Sequence, residues 1–142
     1  MILTKHFTLE ELTITEHREF DNVPNETERT NLVRLAIFLE QVKDLLGGKP
    51  VMVNSAFRSA QVNQAVGSAP TSQHRVGCAA DLRIPGMTPD EVVKAVIASD
   101  LPYDQVIREF DRWTHISIPN SPEMKPRRQA LIIDKMGTRP YA

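Results

Sequence analysis

The 142-residue chain is long enough for one domain with a single core, and its 41% hydrophobic and 25% charged residues are typical of a globular protein. A formal net charge of -1 leaves no broad basic surface, which argues against non-specific binding to nucleic acid. The one cysteine, Cys78, excludes an intramolecular disulfide framework and a cysteine-based zinc finger.

The amino terminus lacks the apolar segment of a signal peptide, and no run of residues approaches membrane-spanning length. We therefore expect synthesis in the cytoplasm without membrane insertion, so that a substrate outside the membrane is reached only after release by another agent. No repeat or linker divides the chain. We expect one domain over residues 1–142, with residues 1–24 as its N-terminal extension, and a monomer.

The first third of the chain predicts a short helical turn and a long helix. Thr8 to Leu12 carries the signature of a capping box, and residues 13–24 are polar and irregular. A long helix follows Asn25 and ends at Gly47 and Gly48, which suit a left-handed cap. Its apolar stripe predicts a scaffold helix and consists of Leu32, Leu35, Ala36, Leu39, Val42 and Leu46.

A strand over residues 51–55 leads to Arg58, and a second helix is expected from Ser59 to Gly67. A guanidinium is a planar, permanently charged donor, so Arg58 is a candidate to hold a substrate carboxylate or to polarise a carbonyl group. An isolated arginine at a strand end is equally well explained as a solvated surface residue. Both interpretations stay open at this point.

The most informative stretch runs from Ser72 to Asp81 and reads SQHRVGCAAD. His74 lies in the predicted loop, and Asp81 lies on the strand that follows it. On this strand Ala80, Leu82 and Ile84 share one face and Asp81 points the other way. His74 and Asp81 are therefore expected to lie close enough to share a metal ion.

A third ligand is predicted from the segment Trp113 to Ile118, where Ile116 and Ile118 face the core and His115 faces away. Two imidazoles and one carboxylate leave the fourth position of a zinc ion open, which is typical of a catalytic site. We therefore predict one zinc ion and a zinc hydrolase. His6 and His17 have no partners at ligand spacing and are expected to serve at the surface or in packing.

The second half of the chain predicts a helix and three strands. Thr88 and Pro89 open the helix with a cap and an N1 proline. The alternation of residues predicts strands over 105–110 and 113–118 that form a hairpin. A polar loop follows, and residues 129–134 form the last predicted strand.

Zinc chemistry needs a base beside the bound water, and Glu109 in the hairpin is the main candidate. Glu109 shares a face with His115 if the two pair directly, which requires a three-residue loop of residues 111–113. A two-residue turn would instead pair Glu109 with Thr114 and direct it away from the metal. Asp111 is the alternative base, because a loop carboxylate at the strand end also reaches the water.

These residues resemble the zinc D-Ala-D-Ala carboxypeptidases, a superfamily that includes vancomycin-resistance D,D-dipeptidases, phage endolysins and the Hedgehog signalling domain. The likeness covers most of the chain and is closest to short, phage-type members that resemble a C-terminal catalytic domain. Three motifs carry it, in this order: Ser55-x-x-Arg58, Ser72-x-His74-x-x-Gly77-x-Ala79-x-Asp81 and Trp113-x-His115-x-Ser117. The second motif is specific, whereas the first and third are informative only in this order.

The resemblance implies an α+β fold, a single domain with a small antiparallel sheet flanked by helices. It also implies zinc on His74, Asp81 and His115, and substrate contacts from four residues, which are Arg58, Ser72, Trp113 and Ser117. Many relatives carry a glutamate or aspartate three residues before the last histidine, where this chain has Arg112. Cys78 occupies a variable position of the motif and is expected to be a small packing residue.

The substrate that the resemblance implies is the D-amino-acid-containing stem peptide of bacterial peptidoglycan, cut by a D,D-carboxypeptidase or endopeptidase such as a phage endolysin. Two alternatives stay open. One is a Hedgehog-like zinc module that binds without turnover. The other is a zinc amidase that cuts the cell wall between sugar and peptide.

Overall fold

The computed structural model describes residues 1–141, which form four α-helices, one 3₁₀ helix and six strands. The helices are α1 (Leu9–Leu12), α2 (Glu26–Leu45), α3 (Ala60–Ala65) and α4 (Pro89–Ile97), with a 3₁₀ helix at Gln73–Val76. The strands are β1 (Met52–Ser55), β2 (Ala79–Arg83), β3 (Gln105–Glu109), β4 (Trp113–Ser117), β5 (Gln129–Asp134) and β6 (Gly137–Pro140).

The predicted helix starts are confirmed by their capping geometry. The side chains of Thr8, Asn25 and Thr88 each accept a hydrogen bond from the backbone N–H three residues later. The residue at that position is a glutamate in each case, and its side chain accepts from the backbone N–H of the capping residue. At the end of α2, Gly47 and Gly48 have φ angles of 76° and 80°, which is the left-handed conformation expected of a helix stop. No helix within residues 1–141 has the length and apolar character needed to cross a membrane.

The strands form one six-stranded sheet in the order β1-β2-β4-β3-β5-β6, which confirms the α+β fold class. The expectation of an antiparallel sheet is wrong for one pair, because β5 runs parallel to β3. The reason is topological: β4 is antiparallel to β3, so the chain leaves β4 beside the start of β3. Residues 118–128 then bring β5 to the far side of β3 in the same direction. Strand β6 was not predicted.

One face of the sheet carries the core. Ala80, Leu82, Val106 and Ile116 on this face are buried, and they belong to the same core cluster as the apolar stripe of α2 and the valines of α4. The N-terminal segment adds Phe7 and Leu12 to that core. The opposite face is not covered by α2 or α4, and Asp81, Glu109 and His115 lie on it by strand alternation.

Candidate metal centre

The ligand-bearing turn before β2 is shaped by its glycine. Ser72 caps the 3₁₀ helix by accepting from the His74 N–H at 3.3 Å, and Gly77 ends it with a left-handed φ of 81°. A Cβ atom at Gly77 would lie 2.9 Å from the carbonyl oxygen of Glu28 and 3.2 Å from the Leu32 side chain. Glycine therefore permits both the backbone conformation and the close approach to α2.

Polar side chains of α2 hold the same turn in place. Asn31 donates from Nδ2 to the Val76 carbonyl at 2.9 Å, and Arg75 forms an ion pair with Glu28 at 2.8 Å. The apolar stripe alone predicts that α2 is a scaffold helix, and it does not reveal that α2 also holds the ligand-bearing turn. The available signal was that Glu28 and Asn31 continue the stripe toward the N-terminus at helical spacing, so these polar groups also face inward.

His74, Asp81 and His115 converge, and all three are buried. Oδ1 of Asp81 lies 3.3 Å from Nε2 of His74 and 3.0 Å from Nδ1 of His115, and the three ligand atoms lie within 4.8 Å of one another. Bonds of about 2.0–2.2 Å to a tetrahedral zinc ion place ligand atoms about 3.3–3.6 Å apart. The cluster therefore has the dimensions of a zinc site.

The hydrogen bonding of His74 shows that this cluster suits a cation. Nδ1 lies 2.7 Å from the Ala56 carbonyl oxygen, which can only accept, so this nitrogen carries the proton. In neutral His74 the lone pair of Nε2 then faces the Asp81 carboxylate. Two acceptors at this distance repel each other unless a cation lies between them. The bond to Ala56 also orients the ring, as outer partners of metal-bound histidines commonly do.

Burial and charge act together on the ionisation of the centre. Burial lowers the pKa of His74, which favours the neutral imidazole that a metal requires. Burial acts to raise the pKa of Asp81, but its interactions with the two adjacent histidines outweigh this effect. The pKa of Asp81 therefore lies well below its usual range, and the carboxylate is ionised at neutral pH.

Arg58 lies directly against the centre, with its side chain only 14% exposed. It donates from Nη2 to Oδ2 of Asp81 at 3.2 Å and from Nε to the Ser55 hydroxyl at 3.1 Å. Arg58 therefore binds Oδ2 of Asp81, the oxygen that does not face the two histidines. Within residues 1–141, Nη1 of Arg58 makes no hydrogen bond, so it is free to contact another group.

The structure corrects the hairpin register on which the placement of Glu109 depends. Glu109 pairs with Trp113 and Ile107 pairs with His115, so neither predicted register is right. The turn closes one step earlier because Phe110 and Asp111 adopt left-handed φ angles of 55° and 52°. Glu109 nevertheless lies on the same face as His115, two residues along the strand from its partner.

Glu109 lies beside the metal ligands, with Oε1 3.9 Å from Nδ1 of His115 and a side chain 17% exposed. Burial, and next the nearby charge of Asp81, raise the pKa of Glu109 above its ordinary value. Asp111 is placed differently: its side chain is 71% exposed and pairs with Arg108 at 3.0 Å. Arg108 belongs to the opposite face of β3, so Asp111 is directed away from the centre.

The remaining predicted site residues differ in their surroundings. Ser72 caps the ligand turn. Trp113 lies on the open face, where it pairs with Glu109 of the neighbouring strand. Ser117 is fully buried and its hydroxyl accepts from the Gln105 N–H at 3.0 Å, so its substrate contact stays a prediction. Cys78 is buried, in keeping with a packing role.

The other two histidines lie outside the centre. His6 contacts Glu40 at 2.6 Å, and His17 contacts Glu19 at 3.2 Å. Both imidazole side chains are partly exposed, and neither belongs to the metal-binding cluster.

Comparison with known proteins agrees with this geometry. Residues 5–117 match the model of the family described as Peptidase M15. The chain is also 41% identical over 56 residues to a zinc D-Ala-D-Ala carboxypeptidase of Streptomyces albus G. That segment spans 39% of this chain and 22% of the Streptomyces protein. These matches and the three converging ligands confirm the zinc cofactor predicted from the sequence.

Proposed function

The chain belongs to the peptidase M15 family, and on that premise we propose that it is a zinc peptidase that cuts the stem peptide of bacterial peptidoglycan. The observation that carries the proposal is the convergence of His74, Asp81 and His115 beside a buried carboxylate, Glu109. Three protein ligands leave room for water and substrate, which is the arrangement of hydrolytic rather than structural zinc.

His74, Asp81 and His115 would hold the zinc ion, which supplies Lewis acidity that polarises a carbonyl group and acidifies water. Glu109 takes the proton of the attacking water at its carboxylate. As the carbon–nitrogen bond breaks, Glu109 delivers that proton to the leaving amine, so the base is regenerated. The raised pKa of Glu109 suits this cycle, because the carboxyl group must hold a proton between the two transfers.

Arg58 has two tasks in this proposal. Through Nη2 it holds the second oxygen of Asp81, which leaves Oδ1 directed at the two histidines. Its free Nη1 is available to the carbonyl oxygen of the scissile bond or to a substrate carboxylate, both of which accept hydrogen bonds. A permanent positive charge at this point stabilises negative charge that develops during the reaction.

The substrate class is proposed from the name of the Streptomyces relative, which is a D-Ala-D-Ala carboxypeptidase. We propose the same kind of substrate, a peptide bond next to a D-amino acid of the cell wall, cut by a carboxypeptidase or an endopeptidase of the phage endolysin type. In this proposal the protein is made in the cytoplasm and acts on the wall after release.

Zymography on purified cell wall, followed by identification of the new chain ends, tests the proposal. The zinc-loaded protein should produce both a new amino group and a new carboxylate at residues of the stem peptide, and an endopeptidase should in addition clear the wall. Release of a free sugar-linked lactyl carboxylate would identify an amidase instead. Zinc-loaded, folded protein that binds wall without producing any new end would identify a binding module.

A further inference from the structure

The side chains of Glu109 and Trp113 are neighbours on the open face of the sheet. The two residues pair across β3 and β4, and the Cβ atoms of such a pair lie about 4.5–5.5 Å apart. Neither predicted hairpin register forms this pair, because each sets Glu109 against a later residue of β4. The observed pair depends on the left-handed turn at Phe110 and Asp111, so this unusual turn brings an indole ring beside the proposed base.

The carboxylate of Glu109 is poorly held by its other neighbours. In residues 1–141 its oxygens make no hydrogen bond, and the 3.9 Å contact with Nδ1 of His115 is too long to be one. That nitrogen faces Asp81 and belongs to the metal centre. Arg58 uses two of its nitrogens on Asp81 and Ser55. A carboxylate without a donor rotates freely about its last bond, whereas a base works best in one position.

The indole N–H of Trp113 is a donor without another partner. Nε1 is buried and makes no hydrogen bond in the described residues, although a buried donor normally makes one. It is directed to Glu109: burial raises the pKa of Glu109, and the Trp113 N–H opposes this shift, as a donor to a carboxylate does. Hydrogen bonds of catalytic groups are often long in the absence of substrate and shorten when it binds.

The hairpin turn keeps the indole ring in place. The ring packs against Phe110, with the two ring centres 5.8 Å apart and the planes tilted by 40°. The Phe110 N–H donates to the carbonyl oxygen of Ile133 in β5 at 2.8 Å, and the Arg112 N–H donates to the carbonyl oxygen of Glu109 at 3.0 Å. The turn is therefore bonded to β5 and closed on itself, so the indole N–H approaches Glu109 from a fixed direction.

We propose that Trp113 is a positioning residue of the reaction: its indole N–H holds one carboxylate oxygen of Glu109, so that the other oxygen faces the attacking water. The inference rests on the proposed peptidase function. It differs from the substrate contact that the family resemblance implies for Trp113, because here the partner of the indole is the base itself. A phenylalanine at this position would keep the aromatic surface and lack the donor.

The N–H group alone can be changed to test this role, because the chain contains one tryptophan. A tryptophan auxotroph supplied with β-(3-benzothienyl)alanine makes a chain in which sulfur, which does not donate, replaces the N–H and the shape of the ring is kept. This chain should retain its zinc and the wild-type KM, and its kcat should fall about 10- to 100-fold because the base is misplaced. An unchanged kcat, or a change in KM alone, would overturn the proposal.

Two further backgrounds show whether the effect passes through Glu109. In a Glu109→Gln chain the base is absent, so replacing the indole N–H should cause no further loss of kcat. In an Asp111→Asn chain, where the altered side chain is exposed and directed away from the centre, the replacement should cause the same loss as in the wild type. Equal losses in all three backgrounds would show that Trp113 acts on the substrate or on the fold, and would contradict the positioning role.

The indole N–H also gives a readout that needs no turnover. Tryptophan labelled with heavy nitrogen produces a single indole N–H resonance in this chain. Glu109→Gln removes the charged acceptor, so the resonance should shift and its hydrogen should exchange faster with water, whereas Asp111→Asn should leave both unchanged. A resonance that does not respond to Glu109→Gln would overturn the contact.

The two kinds of measurement separate the positioning role from the peptidase function. If the resonance responds as expected and no peptide is cleaved, the contact between Trp113 and Glu109 stands and the proposed function fails. If peptides are cleaved and the benzothienyl chain keeps the full kcat, the proposed function stands and the positioning role fails.

Discussion

Replacing Gly77 by alanine tests how the ligand turn is joined to α2. Alanine in the left-handed conformation costs about 1–2 kcal/mol. Its Cβ would lie 2.9 Å from the backbone carbonyl of Glu28, and the shift needed to relieve such overpacking costs about 1–3 kcal/mol more. The expected loss of unfolding free energy is therefore about 2–5 kcal/mol.

Urea unfolding measures this loss, with zinc removed by a chelator so that metal binding does not add to the stability. With a slope of about 2 kcal/mol per molar urea, central for a small protein, the midpoint should fall by about 1–2.5 M. Gly86→Ala is the matched control: Gly86 has a φ of 86°, but no atom lies within 4 Å of its Cβ position. It should show the backbone cost of about 1–2 kcal/mol alone.

The two variants differ only in the contact with α2, so their comparison decides the argument. A larger loss for Gly77→Ala, together with weaker zinc binding, would show that α2 fixes the turn that carries His74. Equal losses for both variants, with unchanged zinc affinity, would refute this reasoning and leave backbone conformation as the only reason for the glycine.

Three further results are expected. Asp104, a buried carboxylate, accepts from Nη2 and Nε of Arg127 at 2.6 and 3.0 Å, and although burial raises its pKa, these bonds lower it overall. The contribution of Asp104 to the free energy of unfolding is therefore complete above its unfolded pKa of about 3.9, and it is lost as the pH falls through the lower pKa of the folded state. Asp104→Asn should cost about 1–2 kcal/mol in urea unfolding at pH 7, with the difference from wild type shrinking toward pH 3, and a constant difference would contradict this assignment. Metal analysis should find one zinc per chain in the wild type and none in His74→Ala or Asp81→Ala, so full occupancy in both variants would remove the site from these residues. Cells that make the protein in the cytoplasm should stay intact, and an added periplasmic signal peptide should lyse them; harmless periplasmic accumulation of zinc-loaded protein would argue against a wall substrate.

The sheet face on which each candidate ligand lies was predictable because it depends on short-range rules. Asp81 follows from the alternation of Ala80, Leu82 and Ile84, and His115 follows from Ile116 and Ile118 in the same way. The capping boxes and glycine stops of the helices are equally local. These features needed no knowledge of which strands pair, whereas the proximity of Asp81 and His115 depends on the pairing of β2 with β4.

The hairpin could not be predicted to the same depth, because its register depends on rare backbone conformations. Phe110 is a bulky residue with a positive φ, a conformation that its residue type does not predict. Its N–H donates to the carbonyl oxygen of Ile133 in β5 at 2.8 Å. Strand β6 contains Gly137 and Pro140, which disfavour a strand. Ser117 lies two residues after His115, which in the sequence suggests a site residue. Its burial becomes visible only in the structure, where its hydroxyl accepts from Gln105 of β3.

The most direct test of the central claim is the rate of Glu109→Gln on a stem-peptide substrate, measured together with zinc content. The amide keeps the shape of the side chain and removes the base, so the fold and one zinc per chain should be retained. The hydrolysis rate should fall about a hundredfold or more. Asp111→Asn, on the exposed turn, should cost far less. Glu109→Gln with the full wild-type rate and full zinc content would contradict the assignment of Glu109 as the base and, with it, the proposed mechanism.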